Sequence, residues 1–89
     1  MTDQTRTRQD PSHLGEIFGE VIQVLRKKRG LSQEELAFES DLHRTYISLL
    51  ERGKRIPGLK TIFQLAKALG VPPSEIIRRV ESNPGRSAE

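Results

Sequence analysis

Apolar residues recur at intervals of three and four positions throughout residues 13–81 of this chain. That interval repeats one face of an α-helix, whereas a half-buried strand would alternate apolar and polar residues at every second position. Five stretches of this kind follow one another, and most of the short segments between them contain glycine or proline. The sequence therefore predicts an all-α fold, a compact bundle of five helices joined by short loops.

The first two helices have clear end signals. The first apolar stripe ends in the basic run from Arg26 to Arg29, and Gly30 follows it. Cations in the last turn and a glycine just beyond it are typical of a helix end. Ser32 is followed three residues later by Glu35, which is the spacing of a capping box. We expect the second helix to run from Ser32 to about Ser40.

Turn-forming residues separate the remaining helices. Asp41 tolerates left-handed backbone angles and can form a tight turn, so a third helix is predicted from about His43 to Arg52. The fourth apolar stripe ends at Gly70, and Pro73 suits the first turn of a short fifth helix.

For two pairs of residues, the sequence is compatible with more than one kind of packing. Gly15 and Gly19 lie four positions apart on one helix face, which either lets another helix approach closely or reflects glycines tolerated in a frayed first turn. Of these two interpretations we expect the frayed turn. Phe38 and Phe63 fall beside the apolar stripes of their helices, where we expect them at the edge of the core or at an interface.

The composition allows one small domain and excludes several classes of protein. The 89-residue chain contains no cysteine, which excludes a disulfide framework, a thiolate nucleophile and cysteine-ligated zinc. No apolar stretch is long enough for a signal peptide or a membrane span, so we expect a cytoplasmic protein. The polar ends, residues 1–12 and 82–89, are expected to be disordered tails on either side of a domain at residues 13–81.

No group of residues at a useful spacing predicts catalysis or metal binding. The sequence contains no pair of nucleophile and base, no glycine-rich phosphate loop and no pair of carboxylates at a useful spacing, so the chain is not expected to be an enzyme. His13 and His43 lie 30 residues apart without further metal ligands beside them. No cofactor and no metal are therefore expected, and we assign His43 to capping the third helix.

Residues 31–54 are the most informative segment, because they predict two short helices separated by a turn of a few residues. In a helix-turn-helix of this kind the second helix can lie in the major groove of DNA while the first crosses the backbone. Residues 32–41 carry four acidic side chains and no basic one, whereas residues 43–55 carry four basic side chains and one acidic one. The positive charge of the second segment would attract phosphates.

Three motifs resemble those of the Cro and phage-repressor (XRE) family of helix-turn-helix proteins: LSQEELA at 31–37, HRTYISLLERGKR at 43–55 and LKTIFQLAKALGV at 59–71. The resemblance extends from Val21 to Val80 without gaps, and HRTYIS also resembles the controller proteins of restriction-modification operons. It implies a sequence-specific transcriptional regulator that binds double-stranded DNA on the cytoplasmic nucleoid. It also implies an ion pair between Arg26 and Glu51.

The same resemblance implies which side chains contact DNA. The first turn of the third helix inserts deepest, so Arg44, Thr45 and Ser48 are expected to read bases. Arg44 can donate two hydrogen bonds to guanine, and Thr45 can contact a thymine methyl group. Leu49 either contacts another thymine methyl group or does not belong to the base-reading residues, which then end at Ser48. The expected phosphate contacts are Gln33, Tyr46, Arg52, Lys54 and Arg55.

The small size of one recognition helix favours association of two copies. One helix reads a few base pairs, whereas two copies related by a two-fold axis read a palindromic site with half-sites about one helical turn apart. We expect a homodimer through the fourth and fifth helices, without an evident small-molecule effector. The expected interface residues are Phe63, Ile76, Ile77 and Val80. The alternative is an antitoxin-like protein-interaction module whose DNA binding is incidental.

Overall fold

The computed structural model describes residues 13–83, and five α-helices follow one another along this range. They are α1 (Leu14–Lys28), α2 (Gln33–Ser40), α3 (Arg44–Glu51), α4 (Leu59–Leu69) and α5 (Pro73–Ser82). No strand occurs in this part of the chain, so the predicted all-α fold with five helices is confirmed. The predicted tails lie outside the described residues, except that Ser82 forms the end of α5 and Asn83 follows it.

Capping interactions determine where α2 begins and ends. The Ser32 hydroxyl accepts a hydrogen bond from the Glu35 backbone N–H at 3.0 Å, and the Glu35 carboxylate accepts one from the Ser32 N–H at 2.8 Å. This is the predicted capping box, and its serine stabilises the start of a helix by about 1 kcal/mol. At the other end Asp41 adopts φ 61° and ψ 42°, the left-handed conformation expected at the turn. The Leu42 N–H donates to the Ala37 carbonyl at 2.9 Å, which closes this turn.

His43 is the N-cap residue of α3, as predicted, and it caps the helix through its backbone. His43 occupies the N-cap position in an extended conformation, but its imidazole makes no capping hydrogen bond. Its carbonyl accepts the Ile47 N–H at 3.0 Å, the first bond of the helix. A capping side chain must fold back over the first turn, which the short side chains of Ser, Thr, Asp and Asn do better than an imidazole. The start of α3 therefore depends on packing.

The core takes residues from all five helices. α1 packs against α3 and α5, α2 packs against α3 and α4, and α4 packs against α5. Each large apolar side chain that is fully buried stabilises the fold by about 1.5–3 kcal/mol relative to an exposed position. The largest of these side chains are Ile17, Ile22, Leu36, Ile47, Leu50, Leu65 and Ile76. Because α2 and α3 share this core, their relative orientation is fixed.

The backbones of α1 and α3 meet at Gly19. A Cβ atom added there would lie 2.6 Å from the Glu51 carbonyl oxygen and closer still to the Leu50 carbonyl oxygen. Gly15 is also buried, and a Cβ atom added to it would meet the loop that follows α3. The expectation that these two glycines are tolerated in a frayed first turn is wrong. Their lack of a side chain is what lets α1 approach the C-terminal end of α3.

Candidate nucleic-acid interface

The first turn of α3 faces outward. Arg44 and Thr45 are exposed, and Ser48, about one turn further along, is half-buried. Ile47 and Leu50 lie on the opposite side of the helix and are fully buried. Residues three and four apart lie on the same side of a helix. The structure therefore brings the three residues predicted to read bases together on one outward face.

Exposed cations lie beyond the end of α3. Arg52, Lys54 and Arg55 are all exposed. Between them Gly53 adopts a φ of 75°, and the Lys54 N–H donates to a carbonyl of the last turn of α3 at 2.8 Å, which turns the chain sharply. Arg52 Nε also donates to Ser48 Oγ at 3.3 Å. Positive charge is thus placed next to the outward face, where it can contact phosphate oxygens.

Tyr46 and Leu49 lie at the border between this outward face and the core. Both are half-buried, and the Tyr46 ring packs against the core. The phenol hydroxyl is the only polar group of the Tyr46 side chain, so a phosphate contact by this residue has to use that hydroxyl.

Arg26 and Glu51 form the ion pair that the resemblance implies. Arg26 Nε lies 2.6 Å from Glu51 Oε2 and Nη2 lies 3.0 Å from Oε1, so the guanidinium binds both carboxylate oxygens. The two side chains are only 10% and 2% exposed, and the hydrogen bond to Glu51 raises the pKa of Arg26. Arg26 Nη1 also donates to the Leu31 carbonyl at 2.9 Å. Arg26 therefore links the segment before α2 to the end of α3.

Gln33, the first residue of α2, is half-buried, and its side-chain amide has a protein partner. Its Nε2 donates to Glu51 Oε1 at 3.0 Å. Our sequence analysis missed this contact, because no local pattern relates two residues that lie 18 positions apart. Gln33 also lies where the backbone N–H groups of the first turn lack partners within the helix and carry partial positive charge.

The outer face of α2 has the opposite charge to that of α3. Glu34, Glu35 and Glu39 surround Phe38 on this face, and Phe38 is 87% exposed. Phe38 therefore lies on the surface rather than at the edge of the core. Carboxylates repel phosphates, so this side of the helix-turn-helix is not suited to DNA contact.

The four residues predicted to form a dimer interface divide into two groups. Phe63 and Ile77 are 55% and 48% exposed, whereas Ile76 is fully buried and Val80 is 8% exposed. The prediction for Ile76 and Val80 is wrong, because both side chains lie in the core of a single copy and cannot also contact a second one. Leu59, which the sequence analysis did not single out, precedes Phe63 by one helical turn and is 72% exposed. Because residues four apart lie on the same side of a helix, Leu59 and Phe63 share one exposed face of α4.

Residues 13–83 contain no group of three or more His, Cys, Asp or Glu side chains that could hold a metal ion. None of the helices in this range is long and apolar enough to cross a membrane.

Comparison with known proteins gives consistent matches. The helix-turn-helix family model matches residues 22–76. Control protein C.BamHI of Bacillus amyloliquefaciens is 50% identical over 62 residues, which cover 68% of this chain and 76% of the relative. The crystal structure of the restriction-modification controller protein C.AhdI from Aeromonas hydrophila is similar, with a TM-score of 0.68 and 45% identity over 70% of this chain and 94% of that chain.

The restriction-modification controller protein C.Esp1396I is also similar, with a TM-score of 0.70 and 34% identity over 75% of this chain and 86% of that chain. Solved variants of it carry single substitutions of an arginine, a threonine and a tyrosine that are consecutive in its sequence. The same three residue types occur here in the same order at Arg44, Thr45 and Tyr46. The chain thus shares this tripeptide, which lies in the first turn of α3.

Proposed function

The chain belongs to the Cro/C1-type helix-turn-helix family, and from that premise we propose that it acts as a homodimer on a short palindromic operator. It is a sequence-specific DNA-binding transcriptional regulator. The protein acts on the cytoplasmic nucleoid, and no catalytic step is part of this function.

The outward face of α3 is the observation that carries the proposal. An α-helix fits the major groove of B-DNA, so this face lies against the edges of the bases. Arg44 donates two hydrogen bonds to guanine O6 and N7, an interaction that discriminates against other bases by about 1–3 kcal/mol. Thr45 contacts a thymine methyl group, and the Ser48 hydroxyl bonds a base edge further along the groove. These three residues determine which sequence is bound.

A second set of residues holds the protein on the phosphate backbone without reading sequence. The exposed cations beyond the end of α3 neutralise phosphates, so affinity falls steeply as salt rises. Tyr46 contributes through its hydroxyl, and Gln33 contributes from the N-terminus of α2. The proposed phosphate contacts are Gln33, Tyr46, Arg52, Lys54 and Arg55.

Exposed apolar side chains on α4 and α5 form the proposed contact between two copies. Leu59 and Phe63 lie on one side of α4, and Ile77 lies on the outside of α5. Large exposed apolar side chains of this kind are typical of interaction surfaces. A two-fold axis through this surface presents two copies of α3 to half-sites about 34 Å apart.

We assign the regulator to the controllers of restriction-modification operons. The relatives C.AhdI and C.Esp1396I are described as restriction-modification controller proteins, and C.BamHI is described as a control protein. The identity to C.BamHI and the shared order of Arg44, Thr45 and Tyr46 support this narrower assignment.

Selection from a pool of randomised duplexes tests the function directly. We expect the selected duplexes to share an inverted repeat. Arg44→Ala is expected to lose preference at one base pair of each half-site, whereas Lys54→Ala weakens binding to all duplexes alike.

Two outcomes would contradict the proposal. Enrichment of a sequence without two-fold symmetry would contradict the homodimeric mode. Absence of binding to any duplex at low salt, together with co-purification of a stoichiometric partner protein, would favour a protein-interaction module instead.

A further inference from the structure

We propose that Glu51 is a positioning residue for DNA binding, because its buried carboxylate orients the side-chain amide of Gln33 toward a phosphate. This inference rests on the proposed function, in which Gln33 contacts the backbone. It assigns to the ion pair between Arg26 and Glu51 a role in DNA binding in addition to its role in stability.

The orientation of the amide follows from the chemistry of its partner. An ionised carboxylate only accepts hydrogen bonds, whereas the glutamine amide has a donating nitrogen and an accepting oxygen. Glu51 Oε1 therefore selects the nitrogen of Gln33, which donates to it at 3.0 Å. The reversed amide would place two oxygens against each other. One N–H of Nε2 bonds Glu51, and the other remains available to donate to a phosphate.

The carboxylate can impose this orientation because it is itself held in place. The guanidinium of Arg26 binds both of its oxygens, at 2.6 and 3.0 Å. Charge-assisted bonds of this two-point geometry are strong and directional. The backbone of α1 also lies directly against the Glu51 carbonyl at Gly19. The position of Glu51 relative to α1 is therefore set from two sides.

The same buried group connects the two parts of the proposed interface. Arg26 Nη1 holds the Leu31 carbonyl at 2.9 Å just before α2, and Glu51 is the last residue of α3. The group thus sets the distance between a phosphate contact at the start of α2 and the helix that reads bases. Gln33 is the member of this network that reaches the DNA.

A methylphosphonate scan of a selected operator duplex tests the inference. Each phosphate is replaced in turn by its uncharged analogue, and affinity is measured by fluorescence anisotropy. For the wild-type protein, replacing the phosphate that Gln33 contacts is expected to weaken binding about ten- to a hundredfold, as for the loss of one hydrogen bond to a charged group.

Gln33→Ala and Glu51→Gln are both expected to lose sensitivity at this one phosphate and to keep it at the others. The double variant that combines Gln33→Ala with Glu51→Gln is expected to bind no more weakly than Glu51→Gln alone. The order of base preference is expected to be the same in these variants as in the wild type. The slope of affinity against salt is also unchanged in Gln33→Ala, because Gln33 carries no charge. Gln23→Ala, which removes a glutamine of α1, is the matched control and keeps the full wild-type profile.

Gln33→Asn tests the same point with the ion pair intact, in case Glu51→Gln fails to fold. Its amide is one methylene shorter and cannot reach both Glu51 and the phosphate, so it is expected to behave like Gln33→Ala. Full sensitivity at that phosphate in Gln33→Asn or in folded Glu51→Gln would overturn the inference, while the proposed function would stand. Absence of any selected duplex would instead refute the proposed function.

Discussion

Adding one methyl group at Gly19 is expected to destabilise the protein, although alanine is the better helix former. In a helix interior alanine is favoured over glycine by about 1 kcal/mol, so the local effect would be stabilising. The added Cβ would lie 2.6 Å from the Glu51 carbonyl oxygen, about 0.8 Å short of the 3.4 Å at which ordinary contact begins. The neighbouring atoms belong to backbone and cannot rotate away, so α1 has to move.

Overpacking of this kind costs about 1–3 kcal/mol, and here it acts on the backbone contact that also places Glu51. We expect a net loss of about 1 kcal/mol in the free energy of unfolding after the helix propensity is included. For a domain of this size, that loss lowers Tm by about 4–8 °C in a thermal melt followed by circular dichroism. DNA affinity is expected to fall as well, because the Arg26 and Glu51 pair lies at this crossing.

Gly15→Ala is the matched control on the same helix. Its Cβ would meet a movable side-chain atom of Ile56 at 3.0 Å and the Gly53 carbonyl oxygen at 3.2 Å, so the strain is smaller. We expect a change in Tm of less than half that of Gly19→Ala. A Gly19→Ala protein that melts at or above the wild-type temperature would refute the reasoning, because the approach of α1 to α3 would then not require glycine.

Three other features have measurable consequences. Arg26→Met leaves the Glu51 carboxylate buried without its partner and is expected to cost about 3–5 kcal/mol in urea unfolding, and adding Glu51→Leu should recover part of this loss. Hydrogen bonds from two arginines of α5 lower the pKa of Glu75. Its folded pKa is thus below its unfolded value, so its stabilisation is present above about pH 4.3 and is lost as pH falls through the folded pKa. Glu75→Gln should therefore show a smaller loss of stability in an acid titration than wild type, and an equal loss would contradict the assignment. Phe63→Glu is expected to shift the protein toward monomer in sedimentation equilibrium and to reduce operator affinity, and an unchanged dimer would exclude this surface as the interface.

Much of the fold could be predicted because the signals that specify it are local. Ser32 and Glu35 lie within one helical turn, so their reciprocal hydrogen bonds depend only on the conformation of that turn. The left-handed conformation of Asp41 is equally a property of the turn. The outward face of α3 could be assigned for a similar reason, because it follows from the spacing of residues within one helix. Ile47 and Leu50 mark the buried side, and Arg44 lies on the exposed side.

Contacts between helices could not be predicted in this way. Ile76 and Ile77 are adjacent and chemically identical, yet one is fully buried and the other is 48% exposed. Which of them enters the core depends on how α5 is rotated against α1 and α4. The same holds for Phe38, which is apolar and nevertheless lies on the surface among carboxylates.

The sequence by itself therefore determined the five helices, their ends and the charge difference between α2 and α3, because neighbouring residues suffice for these properties. Only the tertiary structure decided the close approach at Gly19, the bond from Gln33 to Glu51 and the choice of Ile76 for the core. These three depend on the relative position of helices that are distant in the chain, which packing of the complete core establishes.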